Sequence, residues 1–97
     1  MGRMKRLGPE ERRAARRALY EALDAGGLPL SEAVRRMREI TGLTQAEFAE
    51  RIAGISPRAL AAVERGEGNP TVATLEAIGA PFGLSVAFVR EPSGPVG

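Results

Sequence analysis

The sequence predicts a mainly α-helical domain that ends in one β-strand, and three observations carry that expectation. Apolar residues recur at helical spacing from Ala15 to Phe82. Ser, Thr, Pro and Gly stand where helices would start and stop. At Leu84 the period shortens to two. A chain of 97 residues, 43% hydrophobic and 27% charged, has the ordinary balance of one compact domain.

Each element has its own local signals. Gly8-Pro9-Glu10-Glu11 opens a first helix, with Pro at the first helical position and two acids near the positive dipole end; Gly26-Gly27 stops it. Ala15, Leu19 and Leu23, like Ala18 and Ala22, repeat at i+4, while Arg12, Arg13, Arg16 and Arg17 fill the remaining surface of the first turns. Such an amphipathic helix must dock on something. After the hinge Gly26-Gly27-Leu28-Pro29, Ser31 is expected to cap a second helix, whose Val34, Met37 and Ile40 face one way and which ends at Gly42. Thr44 and Glu47 form a capping box ahead of Phe48, Ala49 and Ile52, and Gly54 closes that helix.

Ser56-Pro57 is a further cap with Pro behind it, leading through Leu60 and Val63 to Gly66. The polar loop Glu67-Gly68-Asn69-Pro70 precedes Thr71, the cap of a helix carrying Val72, Leu75, Ile78 and Phe82, with Pro81 tightening its last turn. Then Leu84, Val86 and Phe88 alternate with Ser85, Ala87 and Val89, a strand over 84–90 with no second strand near it in sequence. Its unpaired amides need a neighbour: the same strand of a second subunit, a partner protein, or an extended piece of the N-terminal arm. The expected organisation is a flexible basic N-terminus (1–8), an amphipathic helix and hinge (9–30), a helical domain (31–83), the strand (84–90) and a disordered tail (91–97).

Composition removes much chemistry. Without Cys or His the chain lacks thiolate and imidazole metal ligands, disulfides, a cysteine nucleophile and the commonest general base. No metal, cofactor or catalytic residue is therefore expected, and the chain reads as a binder rather than an enzyme. Basic residues at the start are followed by no apolar signal core, and nowhere do roughly 18 apolar residues run together, so a cytoplasmic protein without a membrane partner is expected. Net charge is +2, but residues 1–17 carry seven basic side chains against Glu10 and Glu11. Such a segment suits phosphates or an acidic membrane surface, and equally a solvated helix face.

The two helices on either side of Gly54 describe a helix-turn-helix, in which the second helix can enter a major groove, although periodicity alone does not decide it. Here the residues Gly42-Leu43-Thr44-Gln45, Phe48-Ala49, Gly54-Ile55-Ser56, Glu64-Arg65-Gly66, Asn69-Pro70 and Thr74-Leu75 matter. Together they resemble the helix-turn-helix domain of the Xre family, the phage Cro and lambda-repressor type, over residues 31–83. The resemblance implies a lambda-repressor-like bundle, here with an extra N-terminal helix and the C-terminal strand. It also implies a sequence-specific transcriptional regulator, usually a repressor, that binds double-stranded operator DNA with an inverted repeat as a homodimer.

Residue by residue, the resemblance assigns Gln45 to phosphate. It assigns the start of the recognition helix, from Ser56 through Pro57, Arg58 and Ala59 and on to Ala62, to bases, and Arg65, Gly68, Asn69 and Thr71 to phosphate. Arg38 and Glu64 correspond to a structural ion pair that orients the recognition helix. Of the base-contacting set, Arg58 alone has a long hydrogen-bonding side chain; its guanidinium suits O6 and N7 of guanine, or a phosphate. Ala59, Ala61 and Ala62 offer only apolar contact, as to a thymine methyl, which shifts specificity toward DNA shape.

Two departures from the family stand out. Ala49 and Gly54 are one residue further apart than is usual, so either the scaffold helix runs longer or the turn is remodelled; and Val63 replaces a frequent aromatic. The terminal strand resembles that of some antitoxin-type Xre proteins, in which paired strands fix the dimer and a cognate toxin is also bound. Leu84, Val86 and Phe88 are the expected dimerisation residues. The alternative is a protein-interaction module that keeps the helix-turn-helix scaffold and binds a partner protein, a reading favoured by the alanine-rich recognition helix.

Overall fold

The computed structural model describes residues 7–90. Residues 1–6 of the expected flexible N-terminus and the expected disordered tail at 91–97 lie outside the described residues. Among the described residues the elements are α1 (Pro9–Ala25), α2 (Leu30–Thr41), α3 (Gln45–Phe48), α4 (Pro57–Glu64) and α5 (Val72–Gly79). A π-helical turn, Ala49–Ala53, continues α3, and a 3-10 turn, Ala80–Phe82, continues α5 around Pro81.

α1 starts with Gly8 in an extended conformation and Pro9 at the first helical position, and the Glu11 carboxylate accepts the Gly8 N–H at 2.9 Å. Its apolar stripe turns onto α2: Leu19 is fully buried, with Ala15 and Leu23 packed against the same core, whereas Ala18 faces water. Two side chains fasten the helix further. The Tyr20 hydroxyl donates to the Phe82 carbonyl at 2.7 Å, and the Arg16 guanidinium lies 4.9 Å from the Phe82 ring centroid while donating to the Tyr20 oxygen. Leu19 thereby shares one core with Val34 and Ile40 of α2, Phe48 of α3, Leu60 of α4 and Ile78 of α5.

α2 begins sooner than expected. Pro29, not Ser31, is its N-cap residue, the Ala33 N–H bonds to the Pro29 carbonyl at 3.0 Å, and Ser31 sits inside the first turn. Pro29 is held extended and leaves its carbonyl free to accept the first helical bond, so the serine is not needed as a cap. Thr44, Ser56 and Thr71 do cap α3, α4 and α5: their hydroxyls accept from the N–H groups of Glu47, Ala59 and Thr74 at 3.0–3.1 Å. Of the apolar residues this last helix carries, Val72 is 61% exposed, because it opens α5 on the solvent side while Ile78 points inward.

The C-terminal strand expected over 84–90 is not shown. The described residues contain no strand, and a strand that pairs only with another chain has no ladder within one chain. Residues 84–90 instead leave α5 at a close crossing. The Leu84 N–H bonds to the Gly79 carbonyl at 3.0 Å, and a Cβ at Gly79 would stand 3.1 Å from the Leu84 carbonyl oxygen, so a side chain there would push the crossing apart.

Candidate nucleic-acid interface

The back of α4 is anchored first. Leu60 and Val63 are buried in the core, and among the described residues Glu64 is the buried charged one, its side chain 5% exposed. Arg38 of α2 meets that carboxylate with two parallel bonds, Nε to Oε2 at 2.7 Å and Nη2 to Oε1 at 3.0 Å, a planar fork that fixes orientation as well as distance. The Gln45 side-chain amide donates to the same Oε1 at 3.0 Å, Arg38 Nη1 donates to the Leu43 carbonyl, and Arg35 reaches the Glu64 backbone carbonyl. Three helices therefore converge on one carboxylate, and no buried side-chain nitrogen or oxygen among the described residues is left without a partner.

With its rear held, α4 turns its N-terminal half outward. Ser56, Pro57, Arg58 and Ala59 are exposed and Ala62 is half-buried. Arg58 forms no hydrogen bond or ion pair among the described residues, so its guanidinium is available to a ligand. The helix ends in a paired glycine cap: the Gly66 N–H bonds to Val63 O and the Glu67 N–H to Ala62 O at 3.0 and 2.8 Å, with Gly66 at φ +80°. The chain then returns past α4, where a groove of about 270 Å³ is lined by Ile55, Ala59, Ala62, Gly68, Asn69 and Thr71.

The residues singled out from the sequence thus fall into three groups. Ser56, Pro57, Arg58, Ala59 and Ala62 share the exposed start and middle of α4, with Asn69 and Thr71 across the groove. Arg65 is also exposed, paired with Glu67 at 3.1 Å, and a pair this open is worth only about 0–1 kcal/mol. Gln45 stands apart, with one amide hydrogen engaged by Glu64 and its side chain only partly exposed. Thr71 likewise spends its hydroxyl on Thr74, accepting from its N–H and donating to its Oγ1. Sequence reasoning missed Ile55, which also lines the groove; the signal was an apolar residue in a turn otherwise built from Gly and Ser.

The turn itself is remodelled. The α-helical part of the scaffold helix stops at Phe48, and the next five residues wind as a π turn in which the Gly54 N–H bonds to Ala49 O at 2.8 Å, five residues back. Gly54 takes φ +70°, a left-handed conformation in which a side chain would be strained.

A capped scaffold helix, a glycine turn and an outward second helix define the helix-turn-helix class. The helix-turn-helix family model HTH_3, of the Xre-like type, matches residues 34–89, more than half of the chain, and the chain belongs to this family. No curated protein and no solved structure matches it. The family's helix-turn-helix is a DNA-binding regulatory domain. No helix among the described residues is long and apolar enough to cross a membrane, and none of their acids cluster as a metal site.

Proposed function

We propose that this protein is a sequence-specific DNA-binding transcriptional repressor that acts as a homodimer on an inverted-repeat operator. The observation that carries the reading is α4: its rear is clamped by the Arg38–Glu64 fork while its exposed first turn presents an unengaged Arg58. In this reading α4 enters the major groove, Arg58 takes O6 and N7 of a guanine, and Ala59 and Ala62 meet apolar base edges. Gln45, Arg65, Asn69 and Thr71 contact the flanking phosphates. Dimerisation runs through residues 84–90, with Leu84, Val86 and Phe88 pairing against the same segment of a second copy.

The test is selection of the protein on a random duplex library near physiological salt. An enriched inverted repeat with half-site centres about 10 base pairs apart is the expected result; a folded protein that enriches nothing overturns the proposal.

A second reading rests on a different observation. Val86, Phe88 and Val89 are 42%, 105% and 84% exposed, beside an apolar groove of about 430 Å³ lined by Leu30, Val34, Met37, Ile78 and Leu84. This surface suits a protein partner, which in an antitoxin is the cognate toxin. A salt series separates the readings, because phosphate-driven binding weakens steeply with salt and apolar docking does not.

A further inference from the structure

The π turn poses a problem of register. Gln45, at the start of α3, is tied to Glu64, at the end of α4, by a 3.0 Å hydrogen bond, so both ends of the α3–α4 pair are fixed. A residue added to a continuous α-helix turns everything after it by about 100°. Such a turn in α4 would carry Leu60 out of the core and bring Ala59 into its place; instead Leu60 is fully buried and Ala59 exposed.

The hydrogen bonds show where a residue is absorbed. A ring closed from Gly54 N–H to Ala49 O contains one residue more than an α-helical ring closed on the same carbonyl. Removing Ala53 would leave Ile52 three residues after Ala49 and bring Gly54 to four residues after it. The same N–H and the same carbonyl would then form an ordinary α-helical bond.

We propose that Ala53 is a supernumerary residue taken up by the π turn, and that the Ala49–Gly54 hydrogen bond, rather than the length of the segment, positions the recognition helix. The DNA-binding part of the test rests on the function proposed above; the structural part does not. Ala53 is itself buried in the core beside α5, so its deletion is expected to move the shifts of its immediate neighbours there while leaving the amide NMR shifts of α4 in place. The deletion is also expected to keep the selected DNA sequence unchanged, with affinity within threefold of the parent. Insertion of a second alanine after Ala53 exceeds what one π turn absorbs and is expected to lower affinity more than tenfold.

A deletion variant that fails to fold, or folds with shifted α4 resonances, overturns the proposal. So does a folded one that loses more than tenfold in affinity or selects a different sequence. An insertion variant that binds as the parent does also overturns it. If the parent itself selects no DNA, the functional reading falls and the NMR comparison alone decides the role of Ala53.

Discussion

Replacing Arg38 by Met tests the anchoring of the recognition helix most directly. The substitution keeps much of the apolar stem but strips two charge-assisted bonds from Glu64, leaving a carboxylate whose side chain is 5% exposed on the Gln45 amide. Breaking a buried pair by removing one partner costs about 3–5 kcal/mol, because the survivor is a charge without its counterion. A domain of this size has a total stability of about 5–15 kcal/mol, so the loss is a large fraction of it. At about 4–8 °C per kcal/mol the melting temperature should fall by roughly 12 °C or more.

The double variant Arg38→Met/Glu64→Leu separates the ion pair from packing, since an apolar replacement of both partners removes the stranded charge and is often neutral or stabilising. It should be more stable than Arg38→Met alone by at least about 2 kcal/mol, with the coupling read from a double-mutant cycle. Urea and thermal unfolding followed by circular dichroism measure all four proteins. A loss below about 1 kcal/mol for Arg38→Met, at the level of an exposed pair, would refute the reasoning. A double variant no better than the single one would do the same.

Three further outcomes are expected. Leu19→Ala, at a fully buried site, should cost about 3–5 kcal/mol in urea unfolding; a cost under about 1 kcal/mol would mean that α1 is not part of the core. Arg58→Ala should relax selection at one base position at about 1–3 kcal/mol, whereas Gln45→Ala should weaken all sequences evenly and lower stability by about 1 kcal/mol through its lost bond to Glu64; equal, uniform binding losses would remove Arg58 as a base reader. Val86→Pro should yield monomers by light scattering, and an unchanged dimer mass would take residues 84–90 out of the interface.

Local chemistry made much of this protein legible without coordinates. Pro9 with Glu11, Thr44 with Glu47, Ser56 with Pro57, and Thr71 each satisfy orphan amides within three or four residues, so the helix starts they mark need no tertiary information. The apolar spacing of Leu19, Val34, Ile40, Phe48, Leu60 and Ile78 likewise picks out the core, because one face of each helix must leave water. The start of α2 was misread because Ser31 is a good cap but Pro29 reaches the extended conformation first.

What the tertiary structure alone decided are the features that depend on distant groups meeting. The spacing from Ala49 to Gly54 shows an extra residue but not where it goes; the core around Leu60 and the tie between Gln45 and Glu64 leave a π turn as the accommodation. The polar side of Gln45 is turned to Glu64 from 19 residues away, a separation no periodicity reports. The capture of Phe82 by Tyr20 and Arg16 bridges both ends of the described chain. Capping and amphipathicity are properties of neighbours along the chain and are written in the sequence, whereas register, burial of charge and the docking of α1 are set by which surfaces exclude water together.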